Sequence, residues 1–338
     1  MSPICIKMLY HGGGVSIDSN FFLNKINEAY KIRAPLLKTN TNSYRFLFGE
    51  NDGFPGLIAD VYHKVIVIKL YSSIWFPYLQ KITEHLLTVS DAKTAVLRLS
   101  RSLQQLKDCY NIEDGQVIYG TLTDANIPFI EHGVHFLANV VKGHKTGYFL
   151  DHRENRKQVG LLSKNKKVLD VFSYAGGFSV HALANQAKEV TSIDISKQAL
   201  RLAVQNGKLN NFKGNHKTLV GDAFKILQNF ISKKTTFDVV IIDPPSFAKN
   251  KNEIEIAKKK YKQLALLGAN LVSRKGLLVL ASCSSRVKAS EFLAINKEVL
   301  DKYSRNYLIV KTTQHDIDHP ISFREGAYLK TGYYRFLD

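Results

Sequence analysis

The sequence predicts an α/β fold, with a Rossmann-like parallel sheet preceded by a small N-terminal α+β domain. Three observations lead to this class. The chain has 338 residues, which favours two domains at ~100–200 residues each. Apolar runs alternate strictly with helical segments after residue 166, whereas short β-rich runs precede residue 138. We therefore predict an α+β domain over 19–138 and an α/β domain over 139–338.

The first part of the chain has short strands and one clear helix. Residues 65–71 form a β-rich run, residues 74–89 have helical apolar spacing, and residues 95–99 are apolar again. The glycine-rich stretch 48–56 (FGENDGFPG) is typical of a turn between strands. A small α+β unit follows from this mixture.

The second part alternates between strands and helices. We predict strands at 168–172, 190–194, 217–220, 237–242 and 277–281, with helices at 177–187, 196–209, 223–231 and 254–272. Continuously apolar strands joined by helices indicate a parallel sheet covered on both faces. Residues 307–311 and 327–336 are strands with no helix between them, so an antiparallel hairpin is expected to close the sheet.

Composition excludes several classes of protein. No apolar run approaches the ~18 residues that a membrane span needs, and the start is too short and mixed for a secretory signal, so a cytoplasmic location is expected. Cys5, Cys109 and Cys283 are far apart and lack ligand spacing. This argues against both a disulfide framework and a metal site.

The net charge of +18 is concentrated in the C-terminal part of the chain. Residues 1–139 contain 13 Lys and Arg against 12 Asp and Glu, while residues 140–338 contain 34 against 17. Clustered positive charge favours a polyanionic partner, because Lys and Arg neutralise phosphates. Solvated helix faces in a lysine-rich composition are the alternative.

The ends of the first three predicted strands in the second part have the residues of a nucleoside site. The first ends in Asp170-Val-Phe-Ser-Tyr-Ala-Gly176-Gly177, where paired glycines allow close approach of a ligand to the next helix. Asp194 ends the second strand, where an acidic side chain can accept bonds from both ribose hydroxyls. Asp222 follows the third strand and is placed to reach an adenine edge.

A dinucleotide cofactor and simple helix capping are the competing interpretations of these acidic residues. The spacing G-x-G-x-x-G is absent, which disfavours a dinucleotide. Any single aspartate here could be a helix N-cap. Together with Asp243-Pro244-Pro245 after the fourth strand, the set resembles class I S-adenosylmethionine methyltransferases, which implies S-adenosylmethionine as the cofactor.

Cys283 ends the fifth strand, at the same rim of the sheet as Asp243. Carbon-5 of a pyrimidine becomes nucleophilic when a thiolate adds to carbon-6. Asp243 could then bond the N3 and amine edge of a cytosine. A small buried hydrophobe is the alternative for Cys283.

Longer motifs resemble the bacterial 23S ribosomal RNA cytosine-5 methyltransferases, which carry a PUA domain before a central domain and a Rossmann-like catalytic domain. The markers are residues 49–56, 131–133, 143–153, 243–247, 282–284, 318–320 and 325–330. The resemblance implies that residues 145–153 form a lip over the cofactor and that Cys283 is the nucleophile. Residues 2–9 resemble the last PUA strand, so segment 1–18 is expected to be a remnant of that domain, with the central domain as a further RNA-binding candidate.

The predicted site has three groups of residues. The catalytic residues are Cys283 and Asp243. The cofactor-binding residues are Lys145, Thr146, Gly147, Phe149, Asp151, Arg153, Asp170, Phe172, Ser173, Tyr174, Ala175, Gly176, Gly177, Asp194, Ile195, Asp222, Ala223, Asp243 and Pro244. The substrate-binding residues are Pro245, Ser246, Phe247 and Lys249.

Two other functions stay open at this point. A related group that methylates guanine N7 shares several motifs but lacks a cysteine at position 283, and a decayed or small-molecule methyltransferase is the third option. Either the chain is a shortened homologue, or its start has been placed late. In the first case the lysine-rich stretch 249–262 could supply RNA binding in place of the PUA domain. The subunit state is open, a homodimer included.

Overall fold

The protein is described from a computed structural model that covers residues 6–105, 111–248 and 250–338. The chain divides into two units, the first comprising residues 1–151 and 316–323 and the second residues 152–315 and 324–338. The predicted boundary at 138/139 differs from this division, because residues 139–151 belong to the first unit. Thr146 and Tyr148, for example, share hydrogen bonds with Tyr62 of that unit.

A five-stranded sheet organises the first unit. Its strands are β1 (Ser43–Phe48), β2 (Leu57–Tyr62), β3 (Val65–Leu70), β4 (Thr94–Leu99) and β5 (Gln116–Tyr119), in that spatial order. Only the β3 and β4 pair is parallel within this sheet. A separate hairpin follows, formed by β6 (Asn126–Glu131) and β7 (Val134–Asn139). The predicted turn at 48–56 does join two strands, β1 and β2.

The helices of the first unit correct the prediction of a single helix. In the described ranges of this unit they are α1 (Ser19–Arg33), α2 (Leu79–Ser90) and the short α3 (Arg101–Gln104). The predicted helix at 74–89 begins later, at Leu79, because Ser73–Tyr78 is a 3₁₀ segment that contains Pro77. α1 buries Phe22, Ile26 and Ala29 and ends on the charged Arg33, which interrupts its apolar pattern.

The second unit contains a seven-stranded sheet. Its strands are β8 (Lys167–Val171), β9 (Glu189–Asp194), β10 (Asn215–Val220), β11 (Phe237–Ile242), β12 (Val272–Ser282), β13 (Tyr307–Thr313) and β14 (Lys330–Phe336). The spatial order is β10, β9, β8, β11, β12, β14, β13. Strands β8 to β12 are parallel, and the predicted closing hairpin of β13 and β14 is antiparallel.

Helices cover both faces of this sheet, as the continuously apolar strands predicted. They are α4 (Arg153–Leu161), α5 (Gly177–Ala184), α6 (Lys197–Lys208), α7 (Ala223–Ser232), α8 (Ile254–Leu271) and α9 (Ala289–Lys302). Val240 and Ile242 of β11 pack in one buried cluster, and Val239 and Ile241 pack in another. Successive side chains point to opposite faces, so both faces of the strand must be apolar. The predicted fold class is confirmed.

Two further observations concern the ends of the chain and the question of a membrane span. Residues 6–9, the described part of the predicted PUA strand, have no regular secondary structure, and residues 1–5 lie outside the described residues. In the described ranges, no helix combines the length and apolar character that crossing a bilayer requires.

Candidate functional site

The strand order of the second unit reverses between β8 and β11. β9 and β10 lie on one side of β8, whereas β12 and the hairpin lie beyond β11. In open α/β sheets, ligands bind in the crevice at the carboxyl ends of the strands where the order reverses. Asp170 is the penultimate residue of β8, and Asp243 follows the last residue of β11. These two carboxylates therefore mark the crevice.

The turn after β8 has an unusual backbone. Phe172, Tyr174 and Gly176 have φ angles of 65°, 46° and 76°. Left-handed conformations are costly for residues other than glycine and cluster at functional sites. A Cβ on Gly176 would lie 2.7 Å from the Cβ of Ala203, so glycine is required there. Gly177 then begins α5, which has no side-chain cap at its N-terminus.

Asp170 is buried and only partly satisfied. Its Oδ2 accepts hydrogen bonds from the backbone N–H of Ser179 at 3.0 Å and from the Ser179 hydroxyl at 2.6 Å. Within the described chain its Oδ1 has no hydrogen-bond partner and is inaccessible to solvent. Burial raises the pKa of Asp170 to about 7. The negative charges of Asp243 and Asp194 raise this pKa further, while the two hydrogen bonds from Ser179 lower it.

A second oxygen atom in this turn is also buried without a hydrogen-bond partner in the described structure. The Ser173 hydroxyl is buried with no partner among the described residues. An unpaired buried oxygen costs ~1–3 kcal/mol, so two of them at one turn indicate a ligand with donor groups. S-adenosylmethionine fits, because its amino acid end carries an ammonium donor group on the α-carbon, two methylene groups away from the sulfonium. Asp170 and Ser173 are the residues that would hold that end.

Asp194, at the end of β9, is fixed by two backbone donors. Its Oδ2 accepts from the N–H of Tyr174 at 2.9 Å, and its Oδ1 accepts from the N–H of Ser196 at 2.8 Å. A carboxylate has further lone pairs, so it can also accept from ribose hydroxyls. The next residue, Ile195, is 77% exposed, which leaves an apolar surface free beside the carboxylate.

Asp222 caps a helix in the structure. Its side chain accepts a bond of 3.0 Å from the N–H of Lys225 and starts α7, while Ala223 is buried at the first helical position. The helix-cap interpretation is therefore correct for Asp222. Its contact with adenine stays a prediction.

The predicted lip residues 145–151 belong to the first unit. The Thr146 hydroxyl donates to Asp60 at 2.5 Å and lies 3.1 Å from the Tyr62 hydroxyl, so it anchors the segment to that unit. Lys145 and Gly147 have φ angles of 58° and 135°, which makes a sharp bend around Thr146. The cofactor contacts of this segment stay a prediction.

Three other predicted residues differ in their exposure. Phe149 is 38% exposed and Asp151 is half-buried, while Arg153 is fully buried at the start of α4. Arg153 is the second residue of the second unit, and its role at the cofactor also stays a prediction.

The opposite side of the crevice brings a thiol close to the Asp-Pro-Pro segment. The Cys283 Sγ donates to the carbonyl of Pro244 at 3.8 Å, and Cys283 is half-buried. The backbone N–H of Asp243 donates to the carbonyl of Val171 at 3.3 Å, which fixes the segment beside β8. The Asp243 Oδ1 lies 3.3 Å from the Nε2 of His152.

The predicted substrate residues are only partly available. Pro245 is exposed, and Ser246 is half-buried. Phe247 packs its ring against Tyr261 at a centroid distance of 5.4 Å, so part of it belongs to the core. Lys249 lies outside the described residues.

Three residues of this region were not identified from the sequence. His152 contacts Asp243, the Tyr261 hydroxyl accepts a 2.9 Å bond from Ser282, and Lys330 is 2% exposed beside the strand that ends at Cys283. His152 and Lys330 stand inside two of the long motifs, at 143–153 and 325–330. Their position within these motifs could have identified both residues from the sequence, although the motifs alone assign them no chemical role.

The reversed strand order, the glycine turn and the carboxylates at the strand ends together define a class I methyltransferase. The chain belongs to the S-adenosylmethionine-dependent methyltransferase family, whose profile matches residues 46–304. It is an enzyme, and its cofactor is S-adenosylmethionine, as the sequence predicted.

Curated relatives cover nearly the whole chain. A protein of Deinococcus radiodurans named "Ribosomal RNA large subunit methyltransferase" is 40% identical over 335 residues, covering 97% of this chain and 82% of the relative. A protein of Escherichia coli strain SMS-3-5 named "Ribosomal RNA large subunit methyltransferase I" is 34% identical over 319 residues, covering 93% and 80%.

A solved structure shares the fold. A protein from Streptococcus mutans, described as a candidate S-adenosylmethionine-dependent methyltransferase, superimposes with a TM-score of 0.82 at 23% identity, covering 96% of this chain and 83% of that one. A second structure with the same coverage and identity and a TM-score of 0.81 was solved in complex with SAH.

Proposed function

We propose that this enzyme methylates carbon-5 of a cytosine in large-subunit ribosomal RNA, with Cys283 as the nucleophile. The observation that carries the proposal is the position of the Cys283 thiol, 3.8 Å from the carbonyl of Pro244, the residue that follows Asp243. The substrate class rests on relatives named as ribosomal RNA large subunit methyltransferases, together with the positive charge of residues 140–338.

Each residue has a distinct task in this mechanism. The Cys283 thiolate forms a bond to carbon-6 of the cytosine, and the electron pair moves to carbon-5. Asp243 accepts hydrogen bonds from the N3 and amine edge of the base and so stabilises the charge of the adduct. His152, 3.3 Å from the carboxylate, holds Asp243 in that orientation.

The cofactor supplies an electrophilic methyl group. After transfer of this group to carbon-5, a base removes the carbon-5 proton, and the bond between Cys283 and carbon-6 breaks to release the thiolate. A base inside a helix cannot reach a thiol, so the cytosine must be unpaired or turned out of its stack.

A mechanism-based substrate tests this proposal. Large-subunit ribosomal RNA containing 5-fluorocytidine should form a covalent adduct with the enzyme and S-adenosylmethionine, because fluorine at carbon-5 cannot leave as a proton does. The adduct should survive denaturing electrophoresis, and Cys283→Ala should abolish it. A Cys5→Ser, Cys109→Ser double variant is the matched control, and it should form the adduct as the parent does.

Nucleoside analysis separates the alternatives. With ordinary ribosomal RNA, 5-methylcytidine is the expected product. Recovery of 7-methylguanosine, or an adduct that persists in Cys283→Ala, would refute cytosine-5 chemistry while leaving the methyltransferase assignment intact.

A further inference from the structure

Lys330 is a buried lysine whose ammonium bonds only to backbone in the described structure around Cys283. It begins β14 opposite Ser282 of β12, the residue before the thiol. Its Nζ donates to the carbonyls of Ser284, of Val287 at 2.6 Å and of Tyr328 at 3.1 Å. None of these three acceptors is a carboxylate.

Two of the three carbonyls belong to the segment that follows Cys283. Ser284 and Val287 lie between the end of β12 and the start of α9, and both residues are buried. Through Lys330 this segment is tied to β14. Lys330 therefore helps to fix the direction in which the chain leaves β12 immediately after the thiol.

The charge of Lys330 is as informative as its hydrogen bonds. Burial lowers its pKa to about 8, while Cys283 and Glu291 act in the opposite direction as negative neighbours. An apolar side chain would pack in a strand at lower cost than a buried ammonium. A function that requires the positive charge of the ammonium explains why position 330 of β14 is a lysine.

We propose that Lys330 is a positioning residue for Cys283, which fixes the segment after β12 and places a positive charge beside the thiolate. This inference rests on the proposed function, since it assumes that Cys283 must react as a thiolate. A neighbouring cation increases the thiolate fraction at neutral pH.

Of the other side chains near Cys283 that can be cationic, Arg286 and Lys288 are exposed to solvent, and His152 lies against the Asp243 carboxylate. Tyr261 of α8 and Asp243 after β11 both interact electrostatically here, and neither can carry a positive charge. Glu291 of α9 is negative as well, and it bonds to Lys258 and to the N–H of Lys288.

Alkylation of Cys283 by iodoacetamide measures the effect without RNA or cofactor. The full-length Cys5→Ser, Cys109→Ser protein leaves this thiol as the target, and its rate is followed from pH 5.5 to 10. Lys330→Met should raise the midpoint of the profile by about one pH unit or more. At pH 7 the rate should then fall roughly three- to fourfold, because a tenfold smaller thiolate fraction is partly offset by higher nucleophilicity.

Three further variants separate charge from folding. Lys330→Gln keeps hydrogen-bond donors without the charge and should show the same rise, whereas Lys330→Arg should keep the midpoint near that of the parent. Lys288→Met, at an exposed lysine before α9, is the matched control and should leave it unchanged. Circular dichroism identifies the folded variants.

A folded Lys330→Met or Lys330→Gln with an unshifted midpoint would overturn the inference. If neither folds, Lys330→Arg decides, because an unchanged midpoint supports the role and a rise of one unit refutes it. Loss of the 5-fluorocytidine adduct in the parent would refute the proposed function alone, since alkylation does not depend on it.

Discussion

At the scale of single residues, the carboxyl group of Asp170 is buried at the end of β8 with its pKa raised to about 7, chiefly by burial. The positive charge of the cofactor favours the ionised carboxylate, so binding should release a proton whenever the pH is below this value. Cofactor affinity should therefore rise with pH, by about tenfold between pH 6 and pH 8. Isothermal titration calorimetry with S-adenosylmethionine measures this dependence.

Asp170→Asn is the variant that tests the source of the effect. It removes the titrating group, so affinity should be weaker and nearly independent of pH over the same range. Asp194→Asn is the comparison, because Asp194 is half-buried and already bonded to two N–H groups. A pH dependence that persists in Asp170→Asn would show that another group is responsible.

Gly176 gives a second prediction at this scale. Its φ of 76° and the 2.7 Å distance that would separate an added Cβ from the Cβ of Ala203 make alanine both strained and crowded. Gly176→Ala should cost about 1–3 kcal/mol of unfolding free energy and weaken cofactor binding. Urea denaturation and calorimetry measure the two effects.

Gly207→Ala is the matched control for that substitution. Gly207 lies within α6, where an added Cβ meets only ordinary contacts at 3.6 Å. Alanine is the better helix former, so stability should stay the same or rise by up to about 1 kcal/mol. Equal losses in both variants would refute the steric explanation.

At the scale of elements, α8 supplies the lysines expected to contact RNA. Lys258 bonds to Glu255 and Glu291 and is the least available. Lys259 is exposed, and the Nζ of Lys260 lies 4.8 Å from the ring centroid of Phe247. Replacing Lys259 and Lys260 with alanine should flatten the slope of the salt dependence of RNA binding by about 0.7–0.9 per lost phosphate contact.

A charge-matched pair on α9 controls for net charge. Lys297 and Lys302 bond to Asp301 and Glu298 on their own helix. Their double alanine variant should keep the slope of log Kd against log salt. If both double variants change the slope equally, α8 is not a specific RNA contact.

The elements also show where apolar periodicity was a sufficient guide. The parallel strands β8, β11 and β12 were predictable because both of their faces are covered, which makes them largely apolar. β10 lies at the edge of the sheet and is mostly exposed, so its burial gave no such guide. α1 was missed, since its buried face ends on Arg33 rather than on another apolar residue. Only the three-dimensional partner of Arg33, Asp52, explains why a charge can be buried there.

At the scale of the whole molecule, the chain leaves the second unit after His315 and returns to it at Arg324. The intervening segment 316–323 belongs to the first unit and is fixed there by Asp318. The Nη2 of Arg33 donates to the Asp318 carbonyl at 3.2 Å, and the N–H of Arg45 donates to its carboxylate at 2.8 Å.

Arg33→Met should destabilise the first unit by about 3–5 kcal/mol. The substitution removes a 2.7 Å ion pair with a nearly inaccessible Asp52 and leaves that carboxylate buried and uncompensated. Urea unfolding followed by Trp75 fluorescence reports on this unit. Lys64→Met is the control, since Lys64 forms an exposed ion pair with Asp91 and should leave the transition unchanged.

The sequence by itself determined the alternating fold, the cofactor and the rim at which the site lies. Periodicity, glycine spacing and acidic residues at strand ends are local properties, so they are readable along the chain. Tertiary structure alone decided the buried oxygens of Asp170 and Ser173 and the contacts of His152 with Asp243 and of Lys330 near Cys283. These features depend on tertiary structure because residues that are distant in the chain bury a side chain and provide its neighbours. The energy of a buried charge depends on its burial and on those neighbours.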